Sequence, residues 1–351
     1  MAEHLANRAL VHVSGPEASP FLQGLVTNDM DHLMEDDKKG VLLFSASGNE
    51  NYKESLDNLK KNSLALLHRS IYAMFLNTSG RVMFDVIIIH LSNESFLIDC
   101  NIESAPKLVK HLKMYRVRRK IDISIDDTSK IWSIFCKDSL SFSDINHRTM
   151  AEDFIRLGIG SDGVISTADP RIKQLGFRVI VKDHTSSSSM KLNTLVHGSI
   201  NEYETLRYKL GVSECPFEVI TGKSLPLDSN ADYLHGVSFH KGCYIGQELT
   251  ARTHHTGVVR KRIMPLSFKN GGKDLKLETG LNIENIATGK SVGKFISHID
   301  GHGIGLMRVQ ECLDAKTNEQ TIILSDHKDI VLAVLRPQWW PSISPVKLPD
   351  K

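Results

Sequence analysis

The residues best suited to chemistry lie in one run, GVSFHKGCYIGQELTAR (Gly236 to Arg252), where a single cysteine, Cys243, stands between Lys241-Gly242 and Gly246-Gln247-Glu248. Glycine lacks the Cβ that restricts the backbone, so glycines on both sides let a loop turn tightly and approach a ligand closely. A nearby cation such as Lys241 favours the thiolate, the form that attacks electrophiles and binds soft metals. Gln247 and Glu248 are suited to open a helix, whose N-terminal dipole adds the same bias. Tyr244 and Arg252 complete the set that supports the thiol. The commonest state of a free cysteine is an inert, buried small hydrophobe, and the polar, glycine-rich setting of Cys243 favours function over it.

The other thiols, Cys100, Cys136, Cys215 and Cys312, are widely spaced, so the five cysteines form no CxxC pair. That pattern fits a reducing compartment better than a disulfide framework. It also excludes a self-contained four-cysteine zinc or iron-sulfur site, so any metal at Cys243 needs ligands from outside the chain. The neighbouring His254 and His255 diverge on any regular element, and ordinary hydrogen bonding describes them better than metal ligation. Asp85 is a lone carboxylate in the apolar run GRVMFDVIII; it either anchors a heterocycle nitrogen in a cleft or caps a neighbouring turn on an edge strand. The basic run from Lys107 to Lys120, with Arg116, Arg118 and Arg119, is suited to an anionic ligand tail, a nucleic acid or an acidic partner, and equally to a solvated helix face. A single aromatic, Tyr115, is not the interleaved pattern that stacks on RNA bases.

The elements that must position these residues follow from pattern. With 351 residues, 41% hydrophobic and 24% charged, and Lys+Arg 43 against Asp+Glu 41, the chain is an ordinary globular protein with a net charge of only +2. Overall charge thus gives no case for a nucleic-acid or membrane partner. The longest apolar run, around Val86 to Ile89, is strand-sized and far short of the roughly 20 residues of a helical membrane span. A soluble protein, monomeric by itself, is expected. The opening MAEHLANRALVHVSG runs directly into strand-like alternation and has no presequence character.

Strands are predicted at Ala9–Val13, Ile71–Leu76, Arg81–His90, Ser95–Asp99, Ile131–Phe135 and Phe177–Val181. Helices are predicted at Ala18–Leu25, Ala105–Tyr115 and Asn193–Leu210, the last capped by Gly211. Residues 31–70 form an insertion with a mobile first half, and His184–Met190 a surface loop. After Arg262 the pattern changes to short strands between Gly and Asn turns (Ile263–Phe268, Ser291–His298, Gly303–Val309, Thr321–Leu324, Val331–Leu335), which predicts a small antiparallel barrel. The fold class is therefore α+β: a body over residues 1–261 in two subdomains, then a barrel and tail over 262–351.

KGCYIGQELTAR resembles the signature of the YgfZ-type branch of the folate-binding aminomethyltransferase superfamily, the relatives of the glycine-cleavage T protein. Supporting segments follow in order: VSGPEASPFLQGLVTND, FLNTSGRVMFDVI, YRVRRKIDI, DPRIKQLGFRV and YETLRYKLGV. TARTHHTGVVRKR and the terminal PQWWP resemble the mitochondrial iron-sulfur cluster assembly factors of that branch. The resemblance implies ferredoxin-like elements around a central cleft with a C-terminal barrel beside them, and a place in the mitochondrial matrix. It also implies a role late in [4Fe-4S] protein maturation, with an A-type iron-sulfur scaffold as partner and [4Fe-4S] proteins as clients. In that role Cys243 holds a [2Fe-2S] cluster shared with the partner, leading to [4Fe-4S].

Asp85 maps to the family's folate pocket. Where the aminomethyltransferases carry a pterin-binding glutamate this chain has Lys209, which favours an assembly factor over an enzyme. The alternative is a tetrahydrofolate-dependent one-carbon transferase or folate-assisted repair enzyme; a redox thiol at Cys243 is a third reading.

Overall fold

A computed structural model describes residues 1–34, 68–136, 164–182, 201–270 and 275–341. The body holds two antiparallel sheets. The larger is built from β2 (Arg8–Ser14), β3 (Ser70–Leu76), β4 (Val82–Ser92), β5 (Ser95–Asn101) and β6 (Asp122–Asp126) in the order β3-β4-β5-β2-β6. The smaller runs β1-β7-β9-β8, from Ala2–His4, Ser129–Ile134, Phe177–Lys182 and Val164–Ala168. The chain thus enters through one sheet and moves to the other between β1 and β2.

Strand parity explains the layering, because alternate side chains face opposite sides of a sheet. In β4, Phe84, Val86 and Ile88 pack with α1 (Ala18–Gln23) and α3 (Ala105–Arg116), which cover one face. Ile87 and Ile89 join the other, central cluster with Ile131, Ile180, Tyr203 and Leu206. Asp85 shares their parity, so a carboxylate is placed on the central face among apolar neighbours. Helix α4 (Glu202–Leu210) packs into that centre and ends at Gly211, whose φ of 74° lets its N–H return to the Arg207 and Tyr208 carbonyls.

β10 (Lys261–Phe268), β11 (Asn282–Asn285), β12 (Lys290–Ile299), β13 (His302–Arg308), β14 (Ile322–Leu324) and β15 (His327–Val334) close into a six-stranded antiparallel barrel, as the turn spacing predicts. A helix over Val309–Thr317 lies between β13 and β14. That helix, β1, β6, β8 and β11 are not predicted by pattern: the strands are three to five residues long, too short to show alternation.

The insertion starts with a helical turn, α2 (Asp31–Met34), with Leu33 buried. The Gln23 amide donates to Asp29 Oδ1 at 2.8 Å and its Oε1 accepts the Met30 N–H at 2.9 Å, fixing the approach to α2. Residues 35–67, the first half of the helix expected over Asn193–Leu210, and the loop His184–Met190 lie outside the described residues.

Buried charges bind the sheets together. Arg8 on β2 pairs with Asp99 on β5 at 2.7 Å and with Glu214 at 3.2 Å; Arg171 reaches Glu214 at 2.7 Å and Asp169 at 2.8 Å. Arg207 on α4 pairs with Glu218 at 2.7 Å, and Arg178 on β9 lies 3.3 Å from Asp99 with its guanidinium over the Tyr203 ring. Burial pushes the Glu214 carboxyl up, but Arg207, Arg8, Arg171 and Arg178 overcome this and hold it well below 4.5. Burial likewise raises Asp169, and Arg171 leads the groups that bring it to a net value below 3.8.

A carboxylate depressed in the folded state contributes stability above its unfolded pKa and loses it as pH falls. Removing one partner of a buried ion pair strands the others, at about 3–5 kcal/mol. Glu214→Gln is therefore expected to lose about that much at pH 7 in urea melts, with the gap to wild type narrowing as pH falls below 4.5, where the unfolded carboxylate takes up a proton that the folded one does not.

Candidate functional site

The Cys243 loop is seated on the end of α1 and on the β3–β4 hairpin. Thr27 Oγ1 donates to the Gly236 carbonyl at 2.6 Å and accepts the Met74 N–H at 2.9 Å. The Asn28 amide bridges the carbonyls of Tyr72 (2.8 Å) and His235 (2.7 Å). The polar triplet Thr27–Asp29, visible in the sequence but given no role there, is thus the seat of the segment leading to the thiol.

Lys241 departs from expectation. Its ammonium donates to the carbonyls of Gln23 (2.8 Å), Val26 (2.8 Å) and Asn28 (2.6 Å), so all three of its hydrogens are committed to the loop's footing rather than to the Cys243 thiolate. The end of a helix leaves carbonyls without intrahelical partners, and a cation is the natural group to take them. Burial draws the Lys241 pKa down to about 8, while Asp29 and Asp31 pull the other way. Its ammonium also lies 5.1 Å from the centre of the Tyr244 ring.

The flanking glycines do different work. Gly246 has φ +80°, and a Cβ there would lie 2.3 Å from the Asn77 carbonyl oxygen and 2.8 Å from Leu76, so only glycine fits against the hairpin. A Cβ at Gly242 would meet nothing within 4 Å, and the space beside Cys243 stays open. Gln247 opens α5 (Gln247–Thr256) as predicted, and its Oε1 turns back to accept the Tyr244 N–H at 3.1 Å. Glu248 lies in the first turn of that helix, where a negative charge suits the dipole; Arg252, further along it, is exposed.

Cys243 is exposed, whereas Cys100, Cys215 and Cys312 are buried. Burial pushes Cys100 and Cys312 up to about 12, and Cys215 well up, so these three are protonated packing thiols. The histidines fall on the last turn of α5, where His254 stacks on Phe239 with centroids 3.5 Å apart and His255 meets His254 edge-on at 5.1 Å. Among the described residues no group of three or more His, Cys, Asp or Glu could hold a metal ion.

Asp85 caps a neighbouring turn, as in the second of its two expected roles, but from an interior strand rather than an edge: β4 pairs with both β3 and β5. Asp85 is 2% exposed, its Oδ1 accepts the Cys215 N–H at 2.8 Å, and the Tyr72 hydroxyl lies 3.5 Å from Oδ2. Burial raises its pKa, against the pull of Arg8. A cavity of about 310 Å³ opens where the barrel meets the body, lined by Glu103, Glu204, Glu214 and Glu218 with Arg207 as its one cation; neither Asp85 nor Lys209 reaches it. That acidic lining does not suit tetrahydrofolate, whose glutamyl tail is anionic.

Two antiparallel sheets around a charged centre, with a barrel alongside, form an aminomethyltransferase-type architecture. The structure superposes on the glycine cleavage system aminomethyltransferase T from Bartonella henselae with a TM-score of 0.67, covering 96% of this chain and 85% of that one. At 13% identity the likeness is one of fold alone. Residues 260–342 match the family model of the CAF17 C-terminal beta-barrel domain. The chain is 33% identical to the mouse mitochondrial iron-sulfur cluster assembly factor IBA57 over 347 residues (96% of this chain, 85% of that protein). It is 32% identical to the human IBA57 (97% and 85%) and 31% to the IBA57 homolog of Neurospora crassa (88% and 70%). The chain belongs to the IBA57 family. The mitochondrial placement implied by the resemblance agrees with these relatives, each of which is named as mitochondrial.

Two measurements check the site's construction. Gly246→Ala is expected to destabilise by about 2 kcal/mol or more, from positive φ and the hairpin clash together, and Lys241→Met by a similar ~2–3 kcal/mol from carbonyls left without a donor; urea melts that match wild type would contradict the seat described. For Asp85, a folded pKa above 3.8 means that the wild type loses stability as pH rises from there through the folded value. Asp85→Asn keeps the acceptor for Cys215 without that loss, so its stability relative to wild type should climb from pH 4 to pH 7. A constant difference would contradict the assignment.

Proposed function

We propose that this chain acts in iron-sulfur cluster assembly by lending the Cys243 thiolate to a [2Fe-2S] cluster shared with an A-type scaffold partner, late in the maturation of [4Fe-4S] proteins. The observation that carries the reading is an exposed thiol on a loop fixed at both ends, with open space at Gly242 and no other ligand set among the described residues. The names of the relatives support it. A [2Fe-2S] cluster, here the cargo, takes four protein ligands, so one thiolate from this chain leaves three places for partner thiolates.

Pre-set bracing suits that task. The cages at Lys241 and Gly246 hold the loop before the partner arrives, so less ordering cost falls on binding. Lys241 positions the thiol through the backbone rather than by charge.

The test is reconstitution of iron and sulfide with an A-type scaffold protein, followed by visible absorption and iron stoichiometry. Wild type should give a coloured complex containing both proteins, and Cys243→Ser should abolish the joint species while the partner's own cluster remains. Equal cluster formation by Cys243→Ser would overturn direct ligation.

A further inference from the structure

The basic run is laid out as a docking face. From Ala105 to Ile121 there are seven Lys and Arg residues and no Asp or Glu, in a chain whose net charge is only +2. Helix α3 buries Ala105, Leu108 and Leu112 against the larger sheet. Lys110, Lys113, Met114 and Val117 follow at three- and four-residue intervals, so they share one outward side. Within that cationic field two apolar side chains stand in solvent, Met114 at 63% and Val117 at 79% exposure.

Val117 is held there against its own preference. Its φ is +51°, a conformation costly for a β-branched residue and one that glycine would adopt freely. The turn is fastened behind it: Arg116 Nη1 donates to the Ile121 carbonyl at 3.1 Å, and Glu17 accepts the Lys120 N–H at 3.0 Å. The Arg119 guanidinium lies 5.8 Å from the Phe21 ring centre, and a Cβ on Gly15 would sit 2.2 Å from the Lys120 carbonyl oxygen, so the turn has no room to recoil.

We infer that this face docks the protein peripherally on an anionic phospholipid surface, with the cations at headgroup level and Met114 and Val117 entering the acyl boundary. Cations ringing protruding apolar side chains are the combination such an interface recognises. A protruding turn enters a fluid layer without a matching pocket, which a folded acidic partner would have to supply. Nucleic acid is disfavoured because Tyr115, the one aromatic of the run, packs against His111 instead of standing free to stack. No helix among the described residues is long and apolar enough to cross a membrane, so the association is with the surface.

The full chain is to be sedimented with vesicles of phosphatidylcholine alone and of phosphatidylcholine mixed with phosphatidylglycerol. Binding is expected only to the mixed vesicles and should weaken with salt. Lys110→Gln with Lys113→Gln should lower partitioning ~30-fold, and Met114→Ser with Val117→Ser roughly tenfold. Val117→Gly separates docking from folding: it should raise the melting temperature by about 2–4 °C by releasing the backbone while lowering vesicle binding. Cys243→Ser should leave vesicle binding unchanged, so the inference stands or falls apart from the cluster reading. No excess binding to the mixed vesicles would overturn it. So would binding indifferent to Met114 and Val117 and matched by a polyglutamate peptide or single-stranded RNA, which would mark a general polyanion face.

Discussion

The carboxylate of Glu214 is the point on which the body is hung. It accepts from Arg8 of the larger sheet at 3.2 Å and from Arg171, next to the smaller one, at 2.7 Å, with Arg207 of α4 3.8 Å away. Three separate stretches of chain therefore converge on one buried group. Charges taken out of water are costly, and only dense mutual pairing offsets that cost. The next residue, Cys215, gives its N–H to Asp85 on β4, and further along the same stretch Gly222 and Ser224 bond to either side of Val82. The segment after α4 is in this way laced across both the ionic centre and the β4 strand.

Asp85 is occupied by the Cys215 N–H and the Tyr72 hydroxyl, the buried arginines by Asp99, Asp169, Glu214 and Glu218, and a cavity at the barrel junction is lined mostly by carboxylates. At the surface the Cys243 loop is built by the opposite method: neutral carbonyls around one ammonium, and a glycine pressed onto a hairpin. The interior is fixed by charge pairs and the Cys243 loop by backbone contacts, with Tyr244 packed on the central apolar cluster beside it.

Much of this was legible in the sequence. The long strands announced themselves by β-branched runs, and the barrel by its regular Gly and Asn turns. Cys243 stood out because its neighbours are polar and flexible. The role of Lys241 was not legible, because its acceptors are main-chain carbonyls more than two hundred residues away and carbonyls leave no mark in sequence. Gly242 and Gly246 look alike in the motif; only the hairpin against Gly246 separates them. The ionic centre was hidden for a related reason, since Arg8, Asp99, Arg171, Arg207 and Glu214 come from distant segments and each resembles an ordinary surface charge until the sheets meet.

Helix α1 gives the surface its geometry. At its N-terminal side Glu17 holds the Lys120 amide and so the basic turn; at its C-terminal side the Gln23 carbonyl, with those of Val26 and Asn28, holds Lys241 and so the thiol loop. Both placements accord with the helix dipole, which favours a negative group at the start and a positive one at the end. Six residues of helix span only about 9 Å, and Phe21 and Leu22 are buried between the two anchor points. The basic turn and the Cys243 loop, tied to opposite ends of so short and well-packed an element, cannot drift apart. If the turn settles into headgroups, the thiol is held at a fixed, short offset from them, and Cys243 can be approached only from the side that the membrane leaves open.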